Sequence, residues 1–438
     1  MRAALIALLL LVSAPGHAEE GSAALDAALE QARARQQPVL LGFSAPWCYS
    51  CYYMSQNVLT GAEWAAVEAD MVVVMLDADS PEGSQVRETR KVVAIPSYLL
   101  LDADGEEIGR IVGEQSRSRF YAQLDALSAR SGGLSQLEAQ ARNGSGAEAA
   151  SAAAAVLAAY HARREAEAGL AWWLRLPITT RSRLAESPAV RLARDRLAFL
   201  GESEDGTPER CVALGAEVLA APELGCDAAY ALGRLLGCAE RLPEAARRAA
   251  LQPLRGRLQA DIDAVLAEAP QACADGRSLI TTQVRLQRAL GDAPAADALL
   301  QRAIAQHWQA LAQHGLADRH RADDLRVYLE LNGDEAARDA LLRAQIEAFP
   351  ETYIYAFRLG RALRERGEAA AALPYLARAA EHAYGINRLR VAEQRAQALL
   401  TLGRRQDARR VVMQALKANG PWFAEDAAKL RALVADNS

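Results

Sequence analysis

Pro38-Val39-Leu40-Leu41-Gly42-Phe43-Ser44-Ala45-Pro46-Trp47-Cys48-Tyr49-Ser50-Cys51 is the stretch that decides the fold. Its first half is a short apolar run, as expected of a strand buried on both faces. Two cysteines three positions apart follow at once, where helix-like sequence begins and runs through Asn57-Val58-Leu59. Upstream, Ala23 to Gln36 has helical spacing, with Leu25, Ala28 and Leu29 on one face. Downstream, Met71 to Leu76 reads as a second buried strand, Ser84 to Val92 as a polar helix, and Ser97 to Leu101 as a third strand. Asp102-Ala103-Asp104-Gly105 is a turn, because Asp-Gly supports positive φ. Glu107 to Val112 returns as the hairpin partner, and Ser116 to Ala129 closes the unit as an amphipathic helix. Strands interleaved with helices predict a three-layer α/β domain.

The whole chain has 438 residues, 51% of them hydrophobic and 24% charged, which suggests two or three globular domains. A formal net charge of -5 gives no electrostatic reason to bind nucleic acid or anionic lipid. The start reads as an export signal. Met1-Arg2 is a short positive start, Ala3 to Val12 is apolar, and Gly16-His17-Ala18 offers small residues for cleavage after Ala18. The run is too short for a bilayer, which needs about 20 residues. The expected organisation is a signal peptide at 1–18, an α/β domain at 19–130, a linker at 131–150 and an all-α domain at 151–438. The expected location is the periplasm or another exported compartment, with no stable membrane insertion after cleavage. In such a compartment cysteines pair or do redox work.

Phe43 to Cys51 after a strand, with Ala94-Ile95-Pro96 before the hairpin, resembles the thioredoxin superfamily. The likeness is greatest to the subgroup that includes the carboxy-terminal domain of the thiol–disulfide interchange reductase DsbD. Met54 and the Asn57-Val58-Leu59 continuation fit that subgroup. The resemblance implies a thioredoxin-like fold and thiol–disulfide oxidoreductase activity. It also implies that Pro96, preceded by Ile95, is a cis-proline opposite the cysteines, where backbone groups pair with an extended substrate. Trp47 would pack beside the pair and shield it. The family often places a buried acid six residues before the first cysteine; here that residue is Gly42. Water, or another acid such as Glu63 or Asp77, is the candidate substitute for its proton-handling role.

The chemistry explains the spacing. At a helix start, free N–H groups and the helix dipole favour an anion. A Cys48 thiol there becomes a thiolate more readily than at the reference pKa of about 8.5. Cys51, one turn on, can attack a mixed disulfide formed by Cys48. Cys48 is therefore the expected nucleophile and Cys51 the resolving thiol, which requires Cys48 to be accessible. No cofactor is needed, because electrons would come from a thiol donor protein and go to a disulfide client. The uncharged Tyr49-Ser50 pair says little about a potential that spans roughly -270 to -120 mV among related proteins. Ile95 and the subgroup likeness lean toward a reductase or isomerase. A rival reading makes the pair a structural disulfide and the whole chain a non-catalytic interaction protein. No second ligand pair follows for zinc, so no metal is expected.

After residue 147 the sequence is rich in Ala, Leu, Arg and Glu, and helices are expected to the end. A repeat emerges there. Ala362-Leu363, Gly367, Ala372 and Ala379 recur 36 residues on as Ala398-Leu399, Gly403, Ala408 and Ala415. Gly291, Ala296 and Ala303 keep the internal spacing, and Gly333, Ala337 and Ala344 fit it with a one-residue slip. Each unit reads helix, glycine turn, helix, similar to divergent tetratricopeptide repeats. Stacked pairs of this kind form surfaces that bind proteins. Cys211, Cys226, Cys238 and Cys273 are structural disulfide candidates. Antiparallel helices at 208–220 and 226–240 would bring Cys211 near Cys238, whereas simple helix geometry does not bring Cys226 to Cys273. Three pairings stay open. His307, His314 and His320 lack the spacing for one helix to chelate a metal and read as surface or groove residues.

Overall fold

A computed structural model describes residues 22–130, 132–270 and 272–435. The segment read as an export signal lies outside them. Helix α1 (Ala23–Arg35) starts where the Ser22 hydroxyl accepts from the Leu25 N–H. Strand β1 (Val39–Ser44) leads into α2 (Tyr49–Tyr53), which continues as a π-helical turn over Met54–Val58. Then come α3 (Gly61–Asp70), β2 (Val72–Asp77), α4 (Pro81–Thr89), β3 (Ser97–Leu101), β4 (Glu107–Val112) and α5 (Arg117–Ser128). The sheet order is β2-β1-β3-β4, with β1 parallel to β2 and antiparallel to β3.

Alternation along the central strands builds the three layers. Leu41, Phe43, Leu99 and Leu101 pack with Leu25, Leu29 and Val86 on the α1 and α4 side. Leu40, Tyr98 and Leu100 pack with Met54, Val67, Phe120 and Leu124 on the other. Two readings need correction. Residues Gly61–Asp70, for which the sequence reading gives no element, form the helix α3, and only Val67 of it is buried. The β2 strand is an edge strand, not a buried one, and Met75 is 42% exposed.

The rest of the described chain is helical. Residues 131–150, expected as a linker, carry a helix over Leu134–Asn143 and the start of another over Gly146–Ala162. The Asn143-Gly144-Ser145-Gly146 stretch is the break between them. From residue 276 the chain folds as four helix pairs: Gly276–Ala289 with Ala293–His314, Arg319–Leu331 with Glu335–Ala348, Tyr353–Glu365 with Ala369–His382, and Gly385–Thr401 with Arg405–Asn419. The turn glycines Gly291, Gly333, Gly367 and Gly403 all have positive φ, a conformation L side chains resist. Ala296, Ala303, Ala372, Ala379, Ala408 and Ala415 are buried where the paired helices approach. The slipped unit is different. Ala344 is exposed, and the buried positions in register with the other units hold Arg338 and Gln345. The repeat therefore keeps its register after Gly333 and changes its residues.

The helical array meets the α/β unit along two seams. In one, Arg163 reaches Glu107 at 3.0 Å beside the Arg110–Glu107 pair. The other runs over α2 and the end of β2, at the cysteines.

Candidate active site

The chain leaves β1 at Ser44 and turns so that the Cys48 N–H donates to the Ala45 carbonyl at 3.0 Å. Cys48 then caps α2 with an extended backbone, φ -85° and ψ 101°. Its Sγ accepts from the Cys51 N–H at 3.1 Å. This is the arrangement that stabilises negative charge on a cap atom. Cys51 is one turn behind, and the two are joined as a disulfide with Cα atoms 5.2 Å apart. Trp47, Ile95 and Ala45 pack against the pair. The Ile95–Pro96 bond is cis, and the Pro96 carbonyl accepts from the Gly113 N–H at 2.8 Å. The structure thus brings Trp47, Cys48, Cys51 and Ile95 together, with Pro96 next in the chain.

Accessibility departs from expectation. Cys48 is 2% exposed and Cys51 8%. Ala45, Trp47 and Ile95 cover the pair directly, and the array packs on the residues beside it. The Arg277 guanidinium lies 3.0 Å from the centre of the Tyr49 ring, and that of Arg319 4.0 Å from the Tyr52 ring. Arg358 Nη2 donates to the Trp47 carbonyl at 3.1 Å. Trp47 Nε1 donates to Asp79, which also accepts from Asn387 Nδ2 at 3.0 Å. The Ile386 N–H donates to the Asp79 carbonyl at 3.1 Å, and the Tyr384 hydroxyl donates to Asp77. None of these array residues was singled out in the sequence. The available signal was on the other side: three tyrosines, Tyr49, Tyr52 and Tyr53, on one short helix are too aromatic for a bare surface.

The candidate proton acceptors are placed as follows. A side chain at Gly42 would collide with Met75, whose thioether lies 2.2 Å from where a Cβ would stand. Met75 occupies the space the family often gives to an acid. Glu63 is exposed and paired with Arg117 at 3.0 Å, and that partner lowers its pKa. Burial raises the Asp77 pKa against the hydrogen bond from Tyr384. Neither hydrogen-bonds a cysteine.

His320 lies beside α2, its ring 5.1 Å from that of Tyr53 and 6.0 Å from that of Tyr49. Its Nε2 is 3.1 Å from Glu114 and 3.9 Å from Asp324. Burial opposes its charge, but the Asp324 and Glu114 carboxylates outweigh burial and raise its pKa to about 9. Burial also raises Glu114, to about 7, with His320 holding it back. His307 reaches the same Asp324 at 3.8 Å. His307 and His320 line a cleft between the array and the α/β unit, as the groove reading expects, and share Asp324. Among the described residues no group of three or more His, Cys, Asp and Glu is arranged to hold a metal.

The remaining cysteines form two disulfides. Cys211–Cys238 joins antiparallel helices, with Cα atoms 6.1 Å apart. Cys226–Cys273, the pair that helix geometry did not bring together, also forms, at 5.6 Å. Both of its members lie off regular α-helix: Cys226 in a 3₁₀ segment kinked at Gly225, Cys273 in the loop before Gly276. Helical spacing therefore carried no information about them.

A thioredoxin-like domain family model matches residues 25–128. The thiol:disulfide interchange protein TxlA of Synechococcus elongatus is 32% identical over 133 residues, covering 28% of this chain and 68% of that protein. The chain belongs to the thioredoxin-like family. The thiol:disulfide interchange protein DsbD of Ralstonia nicotianae is 32% identical over 103 residues, 23% of this chain and 17% of that protein. The chloroplastic thioredoxin-like protein HCF164 of Arabidopsis thaliana is 28% identical over 100 residues, 23% of this chain and 38% of that protein. The chain spans less than a fifth of the length of the DsbD relative.

Proposed function

We propose that this protein is an exported thiol–disulfide oxidoreductase, leaning to reduction or isomerisation, that works by exchange at Cys48 and Cys51. The observation that carries the reading is Cys48 as the cap of α2, with Cys51 one turn behind it and Ile95-Pro96 alongside. In the reduced protein the Cys48 thiolate attacks a client disulfide. A Cys48–client bond forms and the client's other sulfur leaves as a thiolate. The Cys51 thiolate then attacks Cys48 Sγ, releasing the second client thiol and re-forming the Cys48–Cys51 disulfide. A dithiol donor protein reduces that disulfide and is itself oxidised, so no diffusible cofactor takes part. Trp47, Ile95 and Pro96 form the client-facing surface. The helical array, tetratricopeptide-like in its repeats, recruits a client or partner. Export is supported by the signal-like start and by the pairing of all six cysteines.

An exchange assay with wild type and Cys48→Ser tests the reading. Loss of turnover to the level of buffer is expected, and turnover that survives contradicts it. A second reading is favoured by the burial of Cys48: a non-catalytic interaction protein in which Cys48–Cys51 is a structural disulfide. It predicts no exchange by either protein and a loss of stability in Cys48→Ser.

A further inference from the structure

We propose that the helical array is a latch in cis, which holds the Cys48–Cys51 pair unreactive until the seam opens. This rests on the reading of Cys48 as the attacking sulfur. Three successive helix pairs each present one arginine to the redox face: Arg277 to Tyr49, Arg319 to Tyr52, Arg358 to the Trp47 carbonyl. Guanidinium planes favour aromatic faces and carbonyl acceptors, so this is a matched surface and not a chance crossing. The fourth pair begins with a clasp. The Ile386 N–H pairs with the Asp79 carbonyl, and a Cβ at Gly385 would lie 2.0 Å from that same oxygen. Only glycine lets the backbones approach so closely, and its φ of 50° also suits glycine.

The chemistry of the seam is that of a contact made to separate. Within each half the buried groups are largely apolar, whereas the seam buries Asp79, Glu114, Asp323 and Asp324. Asp323 Oδ2, Glu114 Oε2 and Arg319 Nη2 make no hydrogen bond there. Buried polar atoms without partners are costly, and water would satisfy them on opening. Polar contacts between units of one chain are the kind that move. A client or donor therefore meets a closed face first, and Cys48 becomes available only when the Trp47–Tyr52 surface leaves the arginines. The array face over α2 is thus occupied by the chain's own redox face.

The test is the rate at which a small phosphine reductant opens Cys48–Cys51 in the full chain. The reaction is quenched by alkylation and resolved by peptide mass, so that the other two disulfides are read separately. Wild type is compared with Arg277→Gln, with Arg319→Gln and with Gly385→Val. The expected result is at least a tenfold faster opening of Cys48–Cys51 in the released variants, with Cys211–Cys238 unchanged. The arginine variants remove single side chains from a seam and keep the test alive if Gly385→Val does not fold. Equal rates in wild type and in folded variants would overturn the latch, while leaving exchange by Cys48 intact. Fast opening without client turnover would uphold the latch and overturn the exchange reading instead.

Discussion

The two faces of the β-sheet and the face that α2 turns to the array are built from opposite materials. The sheet faces are Leu, Phe, Val and Tyr packed at near-zero exposure. Such contact is non-directional and is lost only on unfolding. The α2 face is made of tyrosine rings under guanidinium groups, with carboxylates and backbone carbonyls at its border. Its attraction is directional, depends on charge and is only modestly stronger than what water offers. One region holds the cysteines in place, and the other decides whether anything reaches them.

That contrast can be broken in several ways. The largest effect is on chemistry: Cys48→Ser removes exchange altogether while leaving the fold intact, read as client turnover beside a circular dichroism spectrum. In the sheet, Phe43→Ala is expected to cost about 3–5 kcal/mol, measured by urea denaturation, because a fully buried ring leaves a cavity between layers. Removing Cys211–Cys238 by a double serine substitution is expected to cost about 2–4 kcal/mol in the array, by the same measurement. The seam responds to pH. His320 has a folded pKa of about 9, above its ordinary 6.5, so its contribution to stability is full below about 6.5 and lost as pH rises through about 9. Glu114, Asp324 and Asp318 supply the charges it answers to, and Tyr49 and Tyr53 flank its ring. The thermal midpoint should fall between those pH values in wild type, and the fall should be smaller in His320→Ala. The smallest change is Arg277→Gln, expected to cost about 1.5–2 kcal/mol of stability because a desolvated cation–π contact is lost.

How much of this was readable follows from sequence distance. The strands, the hairpin turn at Asp102 to Gly105 and the cysteine-bearing helix start are local, and short-range patterns mark them. Trp47, Ile95 and Pro96 were reached through the family likeness, and the structure sets Trp47 and Ile95 against the cysteines. Helix α3 was given no reading, and only Val67 of its ten residues is buried. The repeat grammar of glycine turns was legible, but Arg338 and Gln345 at two alanine positions were not, since buried polar residues look like surface in sequence. The array's contacts beside Cys48 were invisible for a plainer reason. Arg358 and Trp47 are 311 positions apart, and Asn387 and Asp79 308. No periodicity links residues that only superhelical stacking brings together.

The most direct measurement is a trap. Reduced Cys51→Ser is mixed with a disulfide-bonded client protein, alongside the Cys48→Ser, Cys51→Ser double variant, and adducts are located by peptide mass. A mixed disulfide through Cys48 in the first and none in the second is the predicted result. Absence of any Cys48 adduct, in a sample whose Cys48 thiol is shown by alkylation to be free, would contradict the account.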